Sequence, residues 1–189
     1  MPNESSMAEL VEGLIESRAP LSSLRIGATG HRTLDGRAKA LIAAELEGLF
    51  SDLAGNHSAD EQFTAVSSLA AGADQMFLDA ALRHGVPIEV VLLFANFSDD
   101  FLEEAERDLY ERLVSSAASI TRLPWRVRSN GAYLAGGLWV VDHCAVLIAI
   151  WNGEEAAGVG GTGDVVAYCR NAGKPCLHLH SSTLRARML

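Results

Sequence analysis

Short apolar runs rich in Val, Ile and Leu recur along this chain, and the segments between them return their apolar residues with helical spacing. LRIGAT (24–29), FTAVSSL (63–69), IEVVLLF (88–94), AVLIAIW (145–151) and CLHLH (176–180) read as strands, and SITRL (119–123) as a shorter one. These runs are continuous rather than alternating, the pattern of strands covered on both faces. Between them, residues 37–54 place Ile42, Leu46, Leu49, Phe50 and Leu53 on one helical stripe, and ADQMFLDAALRHG (73–85) is a helix closed by Gly85. A long helix is expected from a Ser98 cap to about residue 116, with Phe101, Leu102, Ala105, Leu109 and Leu113 inward. Further helices are expected over 6–18, 132–143 and 164–172. Strand alternating with helix predicts an α/β, three-layer doubly wound domain with a mostly parallel, Rossmann-like sheet. It is expected to occupy residues 21–189 after a helical extension, 1–20; strand order stays open.

Composition narrows the functional classes. The chain has 189 residues, enough for one domain with a substantial core. Its greasiest run, LWVVDHCAVLIAIW, is interrupted by Asp142 and His143 and falls short of the ~20 apolar residues a membrane span needs. No membrane partner is expected. The N-terminus is acidic, without a basic region preceding an apolar one, so it does not read as a secretory signal. Three cysteines, Cys144, Cys169 and Cys176, none closely paired, fit a reducing, cytoplasmic setting. The net charge of -9 argues against a nucleic-acid partner, and the only basic cluster read from the sequence, Arg185 to Arg187, is short. A small phosphorylated ligand stays open, because backbone amides hold a phosphate without a basic surface.

In open α/β sheets, ligands bind beyond the carboxyl ends of the strands. Three loops with glycine and polar residues fall there: TGHR (29–32), SLAAGAD (68–74) and WNGEEAAGVGGTGD (151–164). They supply the candidate ligand residues Thr29, Gly30, His31, Arg32, Gly72, Asp74, Gly160, Gly161, Thr162 and Gly163. The last loop opens a helix, where amides and the macrodipole favour an anion. It lacks the lysine of a P-loop and does not follow the first strand as a dinucleotide fingerprint does. Arg32 is the cationic candidate, and Asp74 serves chiefly its own helix start. His31 reads equally as a ligand contact or a local hydrogen-bond partner, and Asp142 as facing the pocket or pairing with a neighbour. Trp151 or Tyr133 can stack on a base, although Trp139 and Trp151 fit the core equally well. His178 and His180 share a strand face with no carboxylate or cysteine at metal-ligand spacing, so neither a metal nor a cofactor is expected.

Taken in order, IGATGHR, SSLAAGADQMFLDAALRHG, and the region from YLAGGLWVVDHCAVLIAIWNG to GGTGDVVAYCRNAGKPCLHLH resemble the SLOG superfamily, named for Smf/DprA and LONELY GUY proteins. The resemblance spans roughly residues 24–180. It implies a Rossmann-like fold and a pocket for nucleotides or nucleotide-derived ligands. LONELY GUY phosphoribohydrolases carry PGGxGTxxE; here GGTGD keeps Gly160, Gly161 and Gly163, while Ala167 stands at the glutamate's place. The same region is similar to nucleoside deoxyribosyltransferases, under which Asp164 is a candidate carboxylate. Two functions therefore stay open. One is a sensor of a nucleotide, NAD- or ADP-ribose-like small molecule. The other is an N-glycosidase in which Asp164 or Asp142 is catalytic. DNA binding in the manner of DprA is disfavoured by the charge. Relatives of this kind often pair, which makes Leu134–Val141 a candidate homo-oligomer surface.

Overall fold

The computed structural model describes residues 6–16, 24–56, 63–155, 158–183 and 185–189. Seven strands form a single sheet in the order β4-β3-β2-β1-β5-β6-β7: β1 (Leu24–Gly30), β2 (Phe63–Ser67), β3 (Ile88–Phe94), β4 (Ser119–Trp125), β5 (Val146–Trp151), β6 (Cys176–His180) and β7 (Ala186–Met188). All neighbours pair in parallel except β6 with β7. Every residue of β5 is buried, as expected for a central strand of a sheet with helices on both faces.

The helices are α1 (Met7–Glu16), α2 (Gly36–Asn56), α3 (Ala73–Arg83), α4 (Glu104–Ser116), α5 (Asn130–His143) and α6 (Thr162–Asn171). Successive contacts link α1 to α2, α2 to α3 and α3 to α4, while α5 and α6 pack on each other. Right-handed crossovers place these two groups on opposite faces, giving the three layers. Met7, Ala8 and Val11 of α1 are buried in the same core cluster as the sheet. None of the helices, among the described residues, is long and apolar enough to cross a membrane.

One expected helix is broken. Phe97–Asp100 is a 3-10 turn, and α4 begins only at Glu104. Phe97 and Phe101 turn inward against Phe94, Tyr110 and Tyr133, with Phe97 and Phe101 1% and 0% exposed. Burying both rings requires a tighter winding than an α-helix starting at Ser98 allows, and it leaves Leu102 87% exposed rather than inward. This aromatic knot also delivers Asp100, at the end of the turn, to the carboxyl edge of the sheet.

The apolar segment 134–141 lies in α5 and is used largely within the chain. Val140 and Val141 are buried. A Cβ at Gly136 would lie 2.1 Å from Leu93 Cδ2, and one at Gly137 2.3 Å from Val165 Cγ2. These two glycines let α5 lie directly against β3 on one side and α6 on the other. Ser129 caps α5 by accepting a bond from the Ala132 amide at 3.1 Å. At the other end, the Lys174 ammonium donates to the carbonyls of Val141, Asp142 and Cys144, satisfying acceptors that the helix leaves free.

Candidate functional site

The strand order reverses direction between β1 and β5, and a cavity of about 700 Å³ opens beyond their carboxyl ends. Thr29, Gly30, His31, Arg32 and Asp74 line it, together with Gly160, Gly161, Thr162 and Gly163. The loop after β1 is fastened to the loop after β5: the His31 amide donates to the Ile150 carbonyl at 3.0 Å, and His31 Nε2 accepts from the Asn152 amide at 3.1 Å. Gly72 stands behind this junction, where a Cβ would lie 2.4 Å from the Arg32 carbonyl oxygen and 2.5 Å from that of His31. Its part is to let two loops touch.

The glycine loop meets the N-terminus of α6. Gly160 has φ +89°, and a Cβ there would lie 2.4 Å from the Asn130 carbonyl oxygen. Only glycine satisfies both conditions without strain. The Gly160 amide donates to Asp164 Oδ2 at 2.8 Å, and the Asp164 and Val165 amides bond to the Gly161 carbonyl. The amides of Thr162 and Gly163 take no acceptor among the described residues, so they and the helix dipole face the cavity. Asp164 thereby clasps its own loop. Asp142 accepts from the Tyr168 hydroxyl at 2.8 Å. Neither carboxylate lines this cavity.

Opposite the loop lies a charged group that sequence reasoning missed. The Asp100 side chain, 0% exposed, takes Arg32 Nη2 at 2.5 Å on Oδ2 and lies 3.0 Å from Arg128 Nε through Oδ1. The Tyr133 hydroxyl donates to the same Oδ2. Burial first, and then this hydrogen bond to Asp100, push the Tyr133 phenol well above its ordinary pKa, so it remains a donor. Arg32 stacks over the Tyr133 ring at 5.1 Å and Arg128 at 6.0 Å. Arg32 Nε is buried without an acceptor. The signal for Arg128 was present: Arg126 and Arg128 have the same spacing as Arg185 and Arg187, directly after a strand.

Asp74 is 3% exposed at the floor of the cavity and accepts from the Ser68 hydroxyl at 2.5 Å. Burial pushes its carboxyl up to about 6, against hydrogen bonds from Ser68, Ser67 and Ala70 and the charge of Arg32. The folded value thus lies above the ordinary value of 3.8, and the folded chain keeps a proton that the unfolded chain has released. Stability accordingly falls as the pH rises from about 4 to about 6, and at neutral pH the cost is on the order of 2–3 kcal/mol. Asp74→Asn is expected to flatten this dependence and to exceed the wild type in stability at about pH 7.5. Urea melts across the window check this; parallel pH profiles for the two proteins would refute it.

No family model matches the sequence, and the comparison with curated proteins returns no match. Among solved structures, the chain is similar to DNA processing protein A from Streptococcus pneumoniae, with TM-score 0.59, 18% identity, and coverage of 85% of this chain and 52% of that one. It is also similar to DNA processing protein A from Helicobacter pylori, with TM-score 0.60, 15% identity, and coverage of 88% and 67%. The Rossmann-like fold is similar to that of part of DNA processing protein A. The chain spans about half the length of the first relative and two thirds of the second. The Helicobacter protein is described by a mode of binding single-stranded DNA. That finding overturns the expectation of a small nucleotide-type ligand with no nucleic-acid partner. The expectation rested on net charge, which sums the whole chain and conceals two arginines gathered from loops far apart in sequence.

Proposed function

We propose that this chain binds single-stranded DNA, with a backbone phosphate seated between the glycine loop and the Arg32–Arg128 pair. The observation that carries the reading is the pair of free amides, Thr162 and Gly163, at the start of α6, facing the same cavity as two guanidiniums oriented by one buried carboxylate. Helix-start amides and guanidinium groups are the donors that hold phosphate oxygens. The likeness in fold to two DNA processing proteins supports the same reading. The acidic remainder of the chain favours a single strand over a duplex, whose denser charge needs a broader basic surface.

With so few cations at the site, salt should weaken binding only gently. Two phosphate contacts give a slope of about −1.4 in log affinity against log salt, so fourfold more salt costs about sevenfold in affinity. Anisotropy with a labelled oligothymidylate of about 16 nucleotides, and with a duplex of equal length, tests this. Arg128→Gln, at a 64% exposed side chain, is expected to reduce the slope by about 0.7, the loss of one contact. Failure of the single strand to bind, or tighter binding of the duplex, would refute the proposal.

A further inference from the structure

The polar groups of His31 can be accounted for one by one. Its amide donates to the Ile150 carbonyl at 3.0 Å, and its carbonyl accepts from the Ala73 amide at 3.0 Å. Its ring nitrogen Nε2 lies 3.1 Å from the Asn152 amide nitrogen. A backbone N–H can only donate, so Nε2 is the acceptor and carries no proton. Turning the ring over would set Cε1–H against that amide and leave it without a partner. The Asn152 side chain takes no part: its Oδ1 accepts from the Glu154 amide at 3.2 Å, and its Nδ2 donates to Glu154 Oε2 at 2.7 Å. A neutral imidazole that accepts at Nε2 holds its proton on Nδ1. That Nδ1–H meets no acceptor among the described residues and is open to solvent. Three of the residue's four polar groups thus fix it to β5, to the loop after β5 and to the start of α3. The fourth is a rigidly placed donor on a residue that lines the cavity.

Arg32, the next residue, lines the same cavity, as do Thr162 and Gly163 with their free amides. Resting on the single-strand reading above, we infer that His31 is a further binding residue of that site, donating Nδ1–H to a phosphate oxygen of the strand. Its contribution differs in kind from those of Arg32 and Arg128. A neutral donor holds an oxygen without displacing a counterion, so it strengthens binding by the same factor at every salt concentration. The loop after β1 therefore supplies one charged and one uncharged contact from adjacent residues. The bond from the Asn152 amide serves both ends of this arrangement: it joins the two loops, and it decides which ring nitrogen bears the proton.

The test uses His31→Gln, which keeps an acceptor for the Asn152 amide and removes the donor at the Nδ1 position. At about pH 8, above the ordinary range of imidazole titration, it should bind oligothymidylate about tenfold more weakly than wild type. The same loss is expected on an abasic strand of equal length, with the salt slope unchanged and the melting temperature within about 2 °C. Heteronuclear NMR of the wild type reads the tautomer directly, the His31 signals among the six histidines being those missing from His31→Gln. Nε2 is expected to be unprotonated and Nδ1 protonated, and the Nδ1–H signal should shift when the strand is added. A proton on Nε2, or an affinity of His31→Gln within about twofold of wild type, overturns the inference and leaves single-strand binding standing. So does a slope reduced by about 0.7, which would mark the ring as a cation. A loss confined to the base-bearing strand overturns the phosphate contact. If wild type binds neither strand, this inference and the function it rests on fall together.

Discussion

Gly160→Ala is expected to lower affinity for single-stranded DNA by at least about tenfold, whereas Gly158→Ala, two residues earlier in the same loop, should leave it within about twofold. The contrast follows from geometry. A methyl group at Gly160 meets the Asn130 carbonyl oxygen at 2.4 Å and sits on a backbone with φ +89°. Holding an L-residue in such a conformation costs about 1–3 kcal/mol before any clash is counted, so the loop must move. Moving it turns the Thr162 and Gly163 amides away from the cavity. Gly158 has no atom within 4 Å of its virtual Cβ and no positive φ. Anisotropy titrations of the two variants check the expectation, with melting temperatures confirming that both are folded. Equal affinities would show that the loop does not carry the phosphate.

A large loss of stability is expected at Asp100. Removing one member of a buried ion pair costs about 3–5 kcal/mol, because the partner is left with an uncompensated charge. Here the arginine side chains are 33% and 64% exposed and water recovers part of that loss, so Asp100→Ala should cost about 2–3 kcal/mol. For a chain of this size, that corresponds to a fall in Tm of about 5–10 °C. Asp100→Asn keeps the shape and an acceptor for the Tyr133 hydroxyl, and should fall between. Calorimetry decides, and a shift below about 2 °C for Asp100→Ala would show that the two arginines are held by other contacts.

The strands and the sheet's parallel character were legible because a strand covered on both faces has little choice but to be apolar throughout, as in AVLIAIW. Strand order was not legible, since it depends on which way each crossover turns. The helix expected from Ser98 failed because helical spacing of Phe101, Leu102 and Ala105 hides a stronger demand, the burial of Phe97 and Phe101 in one aromatic group. At the site, Arg32, Asp74 and the glycine loop could be placed because each lies on the connection that leaves the carboxyl end of a strand, which the carboxyl-end rule makes informative. Asp100 could not, because nothing in FSDD marks a carboxylate that will gather two arginines and a tyrosine. The partner class was misread for a related reason: a sum of charges has no positions in it.

The contact of α5 with α6 through Gly137 reaches further than packing. α5 carries Tyr133 near its start, and α6 begins at the glycine loop, so the two walls of the cavity are the ends of one welded helix pair. The width of the cleft is therefore a dimension of the scaffold, set where Gly137 meets Val165 at a distance too short for a methyl group. Gly137, which lines the cleft itself, thus acts as the spacer in its mould. Enlarging it by one carbon would press on Val165 at the start of α6 and resize the opening.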